Sequence, residues 1–488
     1  MRIITPTEIT DAELITTNVV NEAAPWEPAA TNLLSYPRQF DNAYWNKFND
    51  AQVFPDTFLA PDGTLTAERI TGSSSGLGFV VKINSAQSGM VKSIYLRTVS
   101  GTGKIGALTI SNNQVFDITE DWQRFDYPAG DSEAEENFYI ADFRSPATLT
   151  EVIAWHAQLE EGTVPTSIIP DGTTFTSRAS TAKFIDDTGT LQTAAIDVAR
   201  DNAYGYVDGV LKPIGLLLEG SATNLFLNSN TLATQSVTVA AKKHTLHFTG
   251  TGTVTLSGAF SGSLAGTGTG ESNRVSLSFT STSGTVTATV SGTVTNAMVE
   301  ENHYATSYTP SGGTQVTRAA DVSASPQVTR AQDNCVRMLG DEFNQDDFTL
   351  IFDFNPLEIG NTTNRYMRLS NNTGGNRITL GWNGSDRFVL YYGVDSAYAN
   401  VGFVLPSGNI KVGNNYKVAI KRVGKVVSAC VNGGVIGSNT AAKNYNVAIN
   451  HLELGREATN YGMLTTNNFT MYPNALSDTQ MQLLTGGT

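Results

Sequence analysis

Cysteine occurs only twice in 488 residues, as Cys335 and Cys430. Two thiols cannot supply a disulfide framework, and nothing here has the paired spacing of a zinc site. One bridge between them stays open, with buried free thiols the expected state. Histidine is scarce too, with five residues. His244 and His247 are the closest pair, but on an alternating strand residues three apart face opposite sides, so no metal or other cofactor is expected. Charged residues make up 16% of the chain, and acids outnumber bases to a net charge of -14. That balance argues against nucleic acid or an anionic membrane as the main partner and reads mainly as solubility. No run approaches the ~18 apolar residues of a membrane helix, so no membrane insertion is expected. The start, MRIITPTEITDAEL, has neither the positive nor the apolar region of a secretory signal.

What the chain has is glycine, 45 residues of it, and many short runs alternating between apolar and hydroxyl side chains. At a prior of roughly 100–200 residues per domain, its length predicts about three domains. Strand-like runs over 78–83, 92–98, 106–111, 123–127, 137–143 and 149–155 are separated by Gly, Asn and Ser turns at the spacing of a sandwich. Alternation continues in 245–248, 254–256, 275–279 and 286–290, and again in Phe348, Leu350, Phe352 and Phe354. Asp208-Gly209 and Asn432-Gly433 predict hairpin turns. Ser477 and Gln480 have capping-box spacing for a short terminal helix, as do Thr10 and Glu13 for one near the N-terminus. The fold class predicted is all-β: tandem antiparallel β-sandwiches of jelly-roll type, then a third sandwich, behind a short N-terminal segment.

A fixed-length repeat divides the chain. Ala157–Ser180 and Ala297–Ala320 match without a gap from the alanine to the last proline (Pro170, Pro310) and on to the arginine (Arg178, Arg318). Each copy is read as the last strand of a β-domain and its exit, with Glu160 and Glu300 supporting that exit through Arg178 and Arg318. The predicted domains are 1–30, an attachment segment; 31–170, the first jelly roll; 171–215, a connector; 216–330, the second jelly roll; and 331–488, the last sandwich.

Asn32-Leu33-Leu34-Ser35, Tyr44-Trp45, Pro61-Asp62-Gly63-Thr64 and Trp155-x-Ala-Gln-Leu-Glu-Glu-Gly-x-x-Pro-Thr-Ser resemble the carbohydrate-binding-type jelly-roll modules of bacteriophage tail and head-fibre proteins. Ile9-Thr10-Asp11-Ala12-x-Leu14 resembles the start of phage virion proteins. Residues Asp347–Leu484, with strand, Asn-Gly, strand and then Tyr-Pro-Asn-Ala-Leu-Ser-Asp, resemble the laminin-G/concanavalin-like sandwich. The resemblance implies a virion-borne protein that binds other virion proteins through its N-terminus. Ile15 and Trp26 are the anchor candidates there. It further implies a homo-oligomer, a trimer by default, that attaches to a host cell-surface glycan.

Sugars are held by aromatic faces plus placed amides and carboxylates. Trp382, Asn383, Asp386, Tyr391, Tyr392, Tyr398 and Asn400 lie in one such tract and are the glycan-binding candidates, although alternation must bury one of the two adjacent tyrosines. No catalytic residues are assigned. Gly72–Gly76 formally fits a nucleophile motif but runs into a strand rather than a helix. Glu160-Glu161 and Glu300-Glu301 point to opposite faces and cannot flank one glycosidic bond. Two alternatives to attachment are a decoration or head-fibre protein with purely structural contacts, and a glycan depolymerase.

Overall fold

The computed structural model describes residues 24–86, 89–108, 113–128, 136–331, 335–339, 343–357, 359, 365–371, 376–382, 387–393, 403–405, 409–440, 448–457, 460–461 and 463–486. Its regular structure is almost entirely antiparallel strand, with one α-helix, Asp478–Thr485, among the described residues. The chain divides into two compact units, one of residues 31–328 and the other joining 329–488 to the chain before residue 31.

In the first unit, two five-stranded sheets make the first sandwich. One runs in the order Gln123–Pro128, Met90–Arg97, Glu151–Glu161, Ala67–Thr71, Gln52–Phe58; the other is Asn46–Phe48, Phe79–Ala86, Glu136–Asp142, Gly103–Leu108, Asn113–Ile118. Period-two alternation turns Val53, Ile70, Ile94, Leu96 and Val152 inward, where they meet Val80, Ile105 and Phe138 of the second sheet. The loop before Asn46 seals one end. Trp45 is buried there, edge-on to Phe40 with ring centroids 5.3 Å apart, and its indole N–H donates to Tyr36 O at 2.9 Å.

A four-stranded sheet of Leu191–Ala194, Ala182–Ile185, Ala203–Val207 and Val210–Gly215 forms the connector. Its last hairpin turns on Asp208 and Gly209, both at positive φ (50° and 76°), as an Asp-Gly two-residue turn requires. The second sandwich is smaller. Gln235–Val239, Gly284–Ser291, Thr253–Gly258 and Gly262–Ala265 face Val275–Thr280, Lys243–Gly250 and Val294–Glu300 across a core of Phe226, Leu246, Phe248, Val254 and Val286.

The other unit is a sandwich of two six-stranded sheets. Its longest inner strand, Asp347–Pro356, buries Phe348, Leu350, Phe352 and Phe354, matching the alternation in the sequence. The terminal helix starts with the expected capping box: Gln480 N donates to Ser477 Oγ at 3.2 Å, and Ser477 N to Gln480 Oε1 at 2.8 Å. Cys430 is a free thiol packed under that helix with Tyr472, Leu476 and Met481.

Expectation and structure part at the N-terminus. Ala24–Trp26 pairs antiparallel with Leu464–Thr466 as an edge strand of the last sandwich, and buried Glu27 meets Arg330 at 3.0 Å. Three residues held by backbone pairing carry no side-chain period, so the sequence offered nothing to detect. Trp26 therefore has its backbone inside a domain rather than in a free attachment segment. Ile15 and the helix expected beside it lie outside the described residues.

Candidate functional site

The aromatic tract chosen from sequence is divided by the pleat of its own strands. Trp382 (5% exposed) and Tyr392 (3%) turn into the core with Leu380, Phe388 and Leu390. Their ring faces are used in packing, which corrects the expectation that they meet a sugar. Of the adjacent tyrosines it is Tyr391 that stays half-buried on the other face, with the Arg365 guanidinium 4.7 Å above its ring. Asn383, Asp386, Tyr398 and Asn400 lie outside the described residues. Two acids of this domain are engaged locally: Glu453 meets Arg368 at 3.0 Å, and Asp347 accepts from Ala475 N at 2.9 Å.

A better-formed aromatic surface lies on the first sandwich. On Met90–Arg97, Ile94 and Leu96 face the core, so Tyr95 and Arg97 must face the other way. Register then aligns two rows across the sheet. Arg124 lies opposite Tyr95, which lies opposite Trp155; Arg97 lies opposite Ile153, then Arg69, then Phe54. Trp155 is buried at the base of this face with Ile153, Ala67 and Ala60, while Phe58, Tyr95 and Trp122 pack over them part-exposed. Tyr95 stands edge-on to Trp155 at 5.5 Å. Two indole N–H groups are satisfied locally, Trp155 to Thr66 Oγ1 at 3.2 Å and Trp122 to Leu59 O at 3.2 Å.

Arginines interleave with these rings. The Arg97 guanidinium lies 5.2 Å from the Phe58 ring centroid and 5.3 Å from that of Trp122; Arg69 lies 4.1 Å over Phe54, and Arg124 5.7 Å over Tyr95. Flat rings with half-exposed faces, among donors of fixed orientation, offer the two contacts a pyranose needs: C–H surface against π, and hydroxyls against N–H. The sequence signal was the spacing Tyr95-x-Arg97 and Trp122-x-Arg124 beside inward apolar residues. It was missed because these pairs lie far apart in the chain.

The closing block is built the same way in both modules. Asn32 Nδ2 donates to Ala157 O at 3.0 Å and Asn224 Nδ2 to Ala297 O at 3.0 Å; Leu33 N reaches Leu159 O, and Leu225 N reaches Val299 O, both at 2.9 Å. Glu160 accepts from Thr166 N and Thr166 Oγ1, and Glu300 from Thr306 N and Thr306 Oγ1. This corrects the expected partners of the glutamates. A threonine six residues on closes each exit, and the arginines go elsewhere. Arg178 and Arg200 share Asp321 at 2.9 and 2.5 Å, while Arg200 and Arg318 meet Glu219 at 2.7 and 3.5 Å, with all three arginines essentially buried. Burial alone would raise the Glu219 carboxyl, but the Arg318 and Arg200 charges outweigh it and hold the pKa at about 2.

Two cavities flank the connector. One, about 60 Å³, is lined by Arg38, Asp41, Asp56, Glu68 and Asp171. Glu68 is 1% exposed; burial, with Asp41 and Asp56 nearby, pushes its pKa well above the usual carboxylate range. The other, about 210 Å³, is lined by Tyr204, Tyr304, Tyr308, Glu271 and Arg274. Arg274 is already committed to Glu271 and to His247 Nδ1, which accepts from it at 2.9 Å. Among the described residues no group of three or more His, Cys, Asp or Glu side chains is arranged to hold a metal ion.

No family model matches the chain, and no curated protein matches it. Solved structures that match include the CBM40 of Ruminococcus gnavus IT-sialidase bound to α2,3-sialyllactose, at 16% identity and TM-score 0.26, covering 30% of this chain and 85% of that one. The native heptameric SAP-like pentraxin from Limulus polyphemus matches at 15% identity and TM-score 0.24, covering 31% and 81%. The receptor-binding domain of botulinum neurotoxin type G matches at 12% identity and TM-score 0.23; the match spans 30% of this chain and 41% of that chain. By their names the first and last are binding domains. A likeness at this level carries no function across to this chain.

Proposed function

We propose that the protein is a bacteriophage virion component, a tail or head fibre, that attaches the particle to a host cell-surface glycan. The carrying observation is the part-exposed face of Tyr95, Trp122 and Phe58 with its interleaved arginines. A surface face suits an extended polymer better than either cavity does, since both cavities are small and the Arg274 charge in the larger is committed to Glu271. Contacts of this kind are individually weak, so several copies on a symmetric particle supply avidity; a homotrimer fits a fibre. The sequence resemblance to virion modules supports the location, and the part-exposed face supports the binding.

The test is binding of the full chain to a bacterial glycan array, as wild type and as the Tyr95→Ala/Trp122→Ala double variant. Saturable binding to some glycans, lost about tenfold or more in the variant, supports the reading. Binding that the double variant keeps would move the site off this face. No binding in multivalent form would favour a structural fibre, for which the buried Arg178–Asp321–Arg200 junction between modules is the supporting feature.

A further inference from the structure

We propose that the glycan taken by this face is acidic, a polysaccharide whose sugar units carry carboxylates, and that Arg97 is the group that recognises them. The inference rests on the reading above that the face binds a glycan; what it adds is the chemical class of the sugar.

The argument starts from how this chain treats its other arginines. Acids exceed bases by 45 to 31, and a guanidinium leaving bulk water usually finds one. Arg38, Arg69, Arg144, Arg274 and Arg368 each meet a carboxylate within 3.3 Å. Arg97 does not. Among the described residues its direct contacts are neutral: Nη1 donates to Thr98 O at 3.1 Å, the Phe58 and Trp122 rings lie 5.2 and 5.3 Å from the guanidinium, and Nε is buried without a hydrogen bond. Glu120 is near enough for its charge to act on Arg97 but makes no ion pair with it, and accepts a hydrogen bond from Gly101 N.

With Nε buried and one Nη1 hydrogen given to Thr98 O, Arg97 keeps Nη2 and the second Nη1 hydrogen for a ligand, beside two rings. That geometry selects a planar, two-oxygen acceptor over a single hydroxyl. Arg124, on the next strand, is tied to neutral acceptors, Thr166 O at 2.6 Å and Ser93 Oγ at 2.8 Å, so it adds positive charge to the same face. A cationic strip on a protein of net charge -14 is local electrostatic complementarity for an anionic ligand, with Tyr95 and Trp122 offering ring surface to the sugar itself.

The experiment is affinity electrophoresis of the full chain through gels containing polygalacturonate, alginate or polysialic acid, each paired with the same polymer after methyl esterification of its carboxyls. Arg97→Gln, Arg97→Lys and Tyr95→Ala run alongside, with thermal melts to check folding. The expected result is retardation by at least one acidic polymer and not by its ester. Retardation should fall about tenfold in Arg97→Gln, less in Arg97→Lys, and weaken as salt is raised. Equal retardation by acid and ester, or binding to neutral glycans alone, overturns the acidic class and leaves the glycan-binding reading standing; acidic binding unchanged in a folded Arg97→Gln overturns Arg97 as the recognising group. Acidic binding that Tyr95→Ala and Arg97→Gln both leave intact removes the face itself.

Discussion

The two jelly-roll modules close with the same device and expose different chemistry. In the first, Tyr95 pairs across the sheet with Trp155; at the matching place in the second, Thr249 pairs with Thr295, their hydroxyls 2.9 Å apart. Gln158 becomes Met298, which is fully buried, and the neighbouring His247 is also fully buried, with its Nε2 3.2 Å from Glu300. Yet Asn32 and Asn224 make the same bond to the exit strand, and His156 and Asn296 both take positive φ (51° and 47°) at the same step of the repeat. Backbone exits are reused while sheet faces diverge. A shared closing motif therefore says where a module ends and nothing about what it binds.

The comparison breaks most severely at the junction both modules share. Replacing Asp321 by Ala leaves Arg178 and Arg200 buried without their common carboxylate and is expected to cost about 3–5 kcal/mol, read as an early denaturant transition of the 31–328 unit. Next comes Trp155→Thr, which writes the second module's residue into the first. Truncating a side chain 2% exposed is expected to cost about 3 kcal/mol and to abolish glycan binding, whereas Thr295→Val leaves binding unchanged on the same array.

Asn32→Ala and Asn224→Ala sharpen the likeness instead. Each removes one side chain that both donates to a buried carbonyl and accepts a backbone N–H, so each is expected to cost about 1–3 kcal/mol, with similar shifts in urea midpoint for the two. The smallest effect is His156→Asn. The His156 pKa is lowered from 6.5 to about 4, so its contribution to stability is full above pH 6.5 and is lost as pH falls toward 4. Asparagine does not titrate and tolerates positive φ. The variant should match wild type at pH 7.5 and melt roughly 2–4 °C higher at pH 5 by calorimetry.

Much of the architecture was legible in the sequence, because its signals are local. Phe348 to Phe354 alternate within one strand, Ser477 and Gln480 lie within one turn, and Asp208-Gly209 is its own hairpin. The site was not legible, because Phe58, Tyr95, Arg97 and Trp122 come together only through the register of separate strands and the loops beside them. Aromatic density in a row was a poor guide. The Trp382–Tyr392 tract is dense because it fills a core, and the same period-two rule that identified its strands sends Trp382 and Tyr392 inward. The glutamate partners failed for another reason. A six-residue loop brings Thr166 back onto Glu160 sooner than any spacing to Arg178 suggests.

The edge strand Ala24–Trp26 has a consequence for the order in which the last sandwich can be finished. It is made well before its partner, Leu464–Thr466. Residues 27–463 must emerge between the two halves of that ladder. The strand's backbone groups stay unmet in the nascent chain while residues 31–328 are made and become able to fold. A product lacking residues 24–26 would present the 464–466 edge bare, open to pairing with a neighbouring chain.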